Sequence, residues 1–336
     1  MIFFRVFIFS ILILFPAVTL GQEVSPAVKY AQSITQQELK ELLYVYASDY
    51  FKGRDTGTKG QRLAADFIRS FYRDRAIEPA EGTEDYYQPV TLFTRRGDTL
   101  VSENVVSVIK GDEIPDEYIV VTAHLDHIGV NEKGEIYNGA DDDGSGTVAI
   151  LEIAEAFQQA VKNGDGPKRS IIFLHVTGEE KGLLGSGYYT DKEPLYPLED
   201  TIANLNMDMI GRSDPKRENP DPNYIYLIGS DILSQDLHDI SEAVNKEFVS
   251  LELDYTYADI NDPNRFYYRS DHFHFAKNNI PVIFYFNGTH EDYHQVTDTV
   301  DKILYDVLQR RTQLIFHTLW ELANREDRIR LKESVE

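Results

Sequence analysis

The chain has 336 residues, 42% of them hydrophobic, enough for a substantial core and too many for a disordered chain. Its 33 Lys and Arg stand against 56 Asp and Glu, a net charge of -23, which argues against a nucleic-acid binder, because phosphate recognition runs on clustered cations. No cysteine is present, so disulfides, thiolate metal sites and cysteine nucleophiles are excluded together, and any metal must be held by His, Asp and Glu.

Residues 1–21 differ from the rest. Arg5 precedes an almost wholly apolar run from Val6 to Leu20, and Gly21 places a small residue before Gln22, the pattern of a cleaved signal peptide. The run is about 15 residues, short of the roughly 20 that a spanning helix needs, so export with cleavage is expected in preference to a retained anchor. No later segment is long and apolar enough to span, and the mature chain is expected to carry no membrane span. Export without cysteine suits a bacterial periplasm or the medium, where a chain of this size builds its core without disulfides.

The mature chain opens on Thr35-Gln36-Gln37-Glu38, a capping-box spacing, with Leu39, Leu42, Leu43 and Tyr46 following at helical intervals. A glycine-containing turn, Gly53-Arg54-Asp55-Thr56-Gly57-Thr58, leads to a second helical stretch with Ala64, Ala65, Ile68 and Phe71. Short β-branched runs then end in polar clusters at 104–109, 118–123, 170–176, 201–207, 224–228 and 281–286, with helical stretches notably at 146–161, 231–247 and 300–324. Strands alternating with helices predict an α/β sheet covered on both faces, a three-layer α/β/α sandwich around a mixed, mostly parallel sheet. With no repeat or long linker, residues 22–336 read as one domain: a helical approach over 22–100 and a core over 101–325.

In an open α/β sheet, ligands bind beyond the carboxyl ends of the strands, and five such places carry hard-metal donors. After 118–123 comes His124-Leu125-Asp126-His127, where Asp126, two residues on, can pin the second nitrogen of a ligating His124; a histidine at a strand end is also often structural. Asp141-Asp142-Asp143 lies between glycines at the start of a helix, either a set of acids favoured by the helix dipole or a site where cations relieve three adjacent carboxylates. After 170–176 comes Thr177-Gly178-Glu179-Glu180, a pair that can divide into a ligand and a general base, or merely open a helix. His175, inside that apolar run, reads as a core residue. Asp208 stands alone among apolar neighbours, where a carboxylate is costly to bury without a cation. Last, Tyr293-His294 and Asp298 follow 281–286, with His290 a competitor that spacing alone cannot dismiss. The aromatic run Tyr255, Tyr257, Phe266, Tyr267, Tyr268 reads as loop packing or as the lining of an apolar pocket. His, Asp, Glu, Asp, His in chain order has the composition of a two-metal hydrolytic site.

Together with the Gly53–Thr58 turn and Arg269-Ser270-Asp271-His272, these fragments resemble the dizinc aminopeptidase family of secreted bacterial leucyl aminopeptidases, over about residues 35–325. Distant relatives in that family are glutamate carboxypeptidase, glutaminyl cyclase and the transferrin receptor ectodomain. The resemblance implies two zinc ions, one held by His124 and Asp208, the other by Glu180 and His294, with Asp142 bridging. It implies Glu179 as general base acting on a metal-bridging hydroxide, Asp126 as the acid that orients His124, Tyr293 as an oxyanion donor and Arg269 as a substrate contact. The expected activity is removal of N-terminal residues from peptides with a free amine. The same ligands would serve a carboxypeptidase, a dipeptidase or a glutaminyl-cyclase-like enzyme. A non-catalytic receptor-like ectodomain predicts missing ligands, and none is missing.

Overall fold

A computed structural model describes residues 25–94 and 97–333; the expected signal segment lies outside them. Helices α1 (Pro26–Ala31), α2 (Gln36–Tyr46) and α3 (Lys59–Asp74) open the chain. The Thr35 and Thr58 hydroxyl oxygens accept the N–H groups of Glu38 and Gln61, capping α2 and α3. The helical approach ends at Asp74, not near residue 100, because strands β1 (Glu78–Pro79) and β2 (Tyr87–Phe93) pair antiparallel with β3 (Thr99–Ile109). In β2, Gln88, Val90 and Leu92 are buried and Pro89, Thr91 and Phe93 exposed. Its proline disguises this alternation, and is tolerated because β2 pairs on one side only.

The sheet runs β1-β3-β5-β4-β6-β9-β7-β8. Its centre, β5 (Arg169–Val176), β4 (Ile114–His124), β6 (Thr201–Met207) and β9 (Val282–Phe286), is parallel. β3 joins one side antiparallel to β5, while β7 (Tyr224–Ile228) joins the other antiparallel to β9 and carries β8 (Glu252–Asp254). Every residue of β5, β6, β7 and β9 is buried, as expected of strands covered on both faces.

Alternation along β4 shows both layers: Ile119, Val121 and Ala123 enter one apolar cluster and Val120 the other. The first cluster packs under α2, α4 (Gly146–Lys162) and α8 (Tyr305–Asn324), which contribute Leu39, Ile150 and Leu319. The second takes Tyr189 from α5 (Leu184–Asp191) and Phe275 from α7 (His272–Ala276). A further helix, α6 (Gln235–Val244), adds Leu237 to the first. Among the described residues, no helix is long and apolar enough to cross a membrane. The parallel centre directs the carboxyl ends of β4, β5, β6 and β9 to one edge of the sandwich, where the fragments singled out above converge.

Candidate metal centre

His124 ends β4 and is 1% exposed. Its Nδ1 lies 3.0 Å from the Asp126 backbone carbonyl, which turns Nε2 toward Asp142 Oδ1 at 3.1 Å and Asp208 Oδ1 at 3.7 Å. The expectation that the Asp126 carboxylate orients the ring is corrected: its Oδ1 is 3.9 Å from Nδ1. That carboxylate instead accepts the Thr56 hydroxyl at 2.6 Å and the Glu179 N–H at 3.2 Å. Asp126 thus acts on the ring through its main chain, and ties β4 to the Glu179 turn through its side chain.

The three adjacent aspartates are all buried and take three different tasks. Asp141 accepts the Gly211 N–H at 2.6 Å and lies 3.0 Å from His290 Nε2. Asp143 accepts the N–H groups of His124, Gly146 and Met209, joining β4, α4 and the segment after β6. Asp142 is the one that faces His124, His127 and His294, and Asp298 sets its backbone by accepting the N–H groups of Asp141 and Asp142 at 3.0 to 3.1 Å. His290 is therefore occupied by Asp141. His294 Nε2 is the one that reaches Asp142 Oδ2 at 3.1 Å and Glu180 Oε2 at 3.2 Å.

Glu179 and Glu180 lie in a turn before α5 starts at Leu184, not in its first turn. Asp208, just past β6, accepts the Ser270 hydroxyl through Oδ2 at 2.7 Å, leaving Oδ1 toward His124. Asp142, Glu179, Asp208 and His294 line one pocket with Arg269, Tyr293 and an apolar wall that includes Phe266, Phe284 and Phe286. Of the aromatic run, Phe266 lines this cavity, while Tyr255 donates to Glu242 instead. Tyr293 stacks on His294 with centroids 3.9 Å apart, and Arg269 Nη2 reaches the Tyr293 oxygen at 3.4 Å. His175 stays in the core, 2.6 Å from the Tyr72 hydroxyl, and burial pushes its pKa down to about 3.

Two contributors escaped the sequence reading. His127 is fully buried, with Nδ1 2.8 Å from Glu180 Oε1; a second histidine at one strand end was its only signal. Arg54, 1% exposed, donates to the carbonyls of Tyr46, Leu125, Asn138 and Gly139. It ties together the two loops that carry His124 and Asp142, which explains an arginine in the Gly53–Thr58 turn.

The ligand atoms form two groups, His124–Asp142–Asp208 and His127–Asp142–Glu180, each with all its atoms within 4.8 Å of one another. Asp142 enters the first through Oδ1 and the second through Oδ2. His124 Nε2, His127 Nδ1, Asp142 Oδ2 and Glu180 Oε1 are buried without a hydrogen-bond partner, a costly arrangement for a protein to leave uncompensated. Burial disfavours charge on His124, yet attraction to Asp142 and Asp208 prevails and raises its pKa well above the usual value. The same balance carries His294 up to about 10. Burial opposes charge on Asp142 too, but the surrounding imidazoles hold its pKa well below the carboxylate range. Carboxylates that draw protons onto neighbouring histidines demand positive charge, and the nitrogen and oxygen donors suit a borderline divalent ion such as zinc.

Comparison with known proteins agrees with this geometry. The family model described as peptidase family M28 matches residues 104–319. A probable aminopeptidase of Saccharomyces cerevisiae is 25% identical over 324 residues, covering 89% of this chain and 79% of the relative. A probable glutamate carboxypeptidase of Arabidopsis thaliana is 34% identical over 114 residues, covering 33% of this chain and only 16% of the relative's length. Among solved structures, a zinc aminopeptidase from Bacillus subtilis shares the fold with TM-score 0.66 and 18% identity, covering 87% of this chain and 96% of that one. Glutaminyl cyclase from Porphyromonas gingivalis does so with TM-score 0.67 and 19% identity, covering 85% and 97%. The chain belongs to peptidase family M28.

Proposed function

We propose that the protein is a zinc-dependent aminopeptidase that hydrolyses the first peptide bond of peptides with a free N-terminus. The observation that carries this reading is Asp142, buried and presenting one oxygen to each of two donor groups, which is how a carboxylate joins two ions. His124 and Asp208 would hold one zinc, and Glu180 and His294 the other. When bound, the pair supplies polarisation of the scissile carbonyl and a water made nucleophilic near neutral pH.

The remaining chemistry belongs to side chains. Glu179 lines the cavity beside Asp142 and Asp208, a carboxylate free of the ligand set and placed against it. It would take the proton of the attacking water and return it to the leaving amine. Tyr293 lines the same cavity, where its hydroxyl would donate to the developing oxyanion, and Arg269 Nη2 donates to that hydroxyl at 3.4 Å. The substrate's α-amine is drawn to the acidic floor and its first side chain to the Phe266–Phe284–Phe286 wall. The apolar N-terminal segment is proposed to direct export to the periplasm or medium.

The exposed guanidinium of Arg269 at the cavity favours one second reading, an enzyme that holds a substrate carboxylate. Aminoacyl anilides assayed beside N-blocked peptides separate the two. An aminopeptidase cleaves only the former, loses activity to a chelator and regains it with zinc. Purified protein that takes up no divalent metal would sink both readings.

A further inference from the structure

His127 has no place in the five-ligand set above, yet its position is as constrained as any of them. Its ring is fully buried, and both ring nitrogens lack a hydrogen-bond partner. Nδ1 lies 2.8 Å from Glu180 Oε1, but the pair lacks hydrogen-bond geometry, and both atoms stand unpartnered. Nδ1 is also 3.9 Å from Asp142 Oδ2. Two donor atoms that close, each turned away from the other's bonding direction, are arranged as neighbours around a common point.

The placement is built rather than incidental. The His127 N–H donates to the Arg54 carbonyl, and residue 127 bridges to Asp55 beside it. The ring is seated against Gly139, where a Cβ would come within 2.6 Å of His127 Cδ2 and 2.2 Å of the Asp142 carbonyl oxygen. Gly139 also has φ +56, so both space and backbone conformation call for glycine there. His294 approaches the same Asp142 and Glu180 carboxylates from a loop that leaves its side chain 36% exposed, with its ring centroid 5.9 Å from that of His127.

We propose that His127 is a metal ligand through Nδ1, joining Asp142, Glu180 and His294 on one ion. Resting on the dizinc reading, this makes the two half-sites unequal. One has four protein ligands, two of them imidazoles. The other, His124–Asp142–Asp208, has three and is the more open to water and substrate, as catalytic zinc sites are.

The test is zinc X-ray absorption on the wild-type holoenzyme, together with zinc stoichiometry and affinity of His127→Ala and His127→Asn. Three imidazoles shared over two zinc ions are expected, and two would overturn the assignment. Both variants are expected to keep one ion and to bind the second more than about 100-fold more weakly, beyond what loss of a group that merely orients a ligand costs. Asn retains an N–H where Nδ1 stood, so wild-type affinity in His127→Asn would show that the ring only positions Glu180. Should the variants not fold, the absorption count alone decides. Wild-type protein that binds no zinc at all would instead overturn the dizinc reading itself, a result separable from two ions seen with only two imidazoles.

Discussion

Arg54 and the His124–Asp142–Glu180 cluster are buried at the same edge of the sheet, yet their polar atoms are satisfied in opposite ways. The Arg54 guanidinium donates to four main-chain carbonyls, and Arg311, equally buried, does the same with those of Ile210, Arg212, Pro222 and Tyr224. The cluster has imidazole and carboxylate atoms pressed together with no partner at several of them. Loop carbonyls are plentiful, so a buried cation finds its acceptors within the chain. Buried carboxylates gathered at a strand edge exceed the nearby donors, and only a cation from outside can complete them. Protein donors that satisfy a group fully mark structure; donors left short by the fold mark a site.

The largest expected break in this contrast is Asp142→Asn, which removes the one charge shared by both groups. Zinc content should fall from two ions per chain toward none, with loss of activity; two tightly held ions would refute the bridging role. Next, Glu179→Gln should lower kcat by about 10²–10⁴-fold while zinc content stays at the wild-type level. Near-normal turnover with metal bound would remove Glu179 as general base.

The two arginines sharpen the comparison from the other side. Arg54→Met and Arg311→Met each strand several buried carbonyls, at about 1–3 kcal/mol for each one left without a partner, so both should lower the denaturant midpoint. Only Arg54→Met should also weaken zinc binding, because only Arg54 holds the Leu125, Asn138 and Gly139 carbonyls beside the ligands. Equal zinc affinity in the two variants would make Arg54 a purely structural clamp.

The smallest effect concerns Glu152, a buried carboxylate on α4 with no hydrogen bond or ion pair among the described residues, Arg75 acting on it only at a distance. Burial, aided by Glu38 and Glu155, pushes its pKa up to about 8, against about 4.3 in an unfolded chain. The folded state therefore holds this proton more tightly, and the contribution of Glu152 to stability is fully present below about pH 4.3 and is lost as pH rises through about 8. Glu152→Gln should stabilise the protein more at pH 9 than at pH 5, measured by urea unfolding. The same difference at both pH values would show that Glu152 finds a compensating partner. A carboxylate the fold buries without an ion-pair partner keeps its proton, whereas Asp142 is surrounded by histidines that let it ionise.

Much of the fold was legible because the central strands are long apolar runs. The predicted run at 224–228 coincides with β7, and those at 170–176 and 201–207 mark β5 and β6 to within a residue. The edge was harder: β2 presents a proline and a glutamine among its apolar residues, and pairs with a strand that begins five residues before the run predicted at 104–109. At the site, the five donor-bearing fragments could be read from residue chemistry at strand ends, and the structure brings residues from all five together. The choice between His290 and His294 could not be read, because it depends on Asp141 engaging the former across 149 residues. Nor could the role of Asp126, since its carbonyl and carboxylate act in different directions.

By itself the sequence determined the ligand chemistry, imidazole and carboxylate with no thiol, and the edge of the sheet where it would gather, because residue type and strand periodicity are local properties. Tertiary structure decided which atoms face one another: Asp142 between two donor groups, Asp141 and Asp143 turned to structural duty, and His127 brought in against Glu180. Those directions are set by loops whose backbones are held from far away, by Arg54 at one end of the chain and Asp298 at the other, and no local pattern encodes a contact that distant.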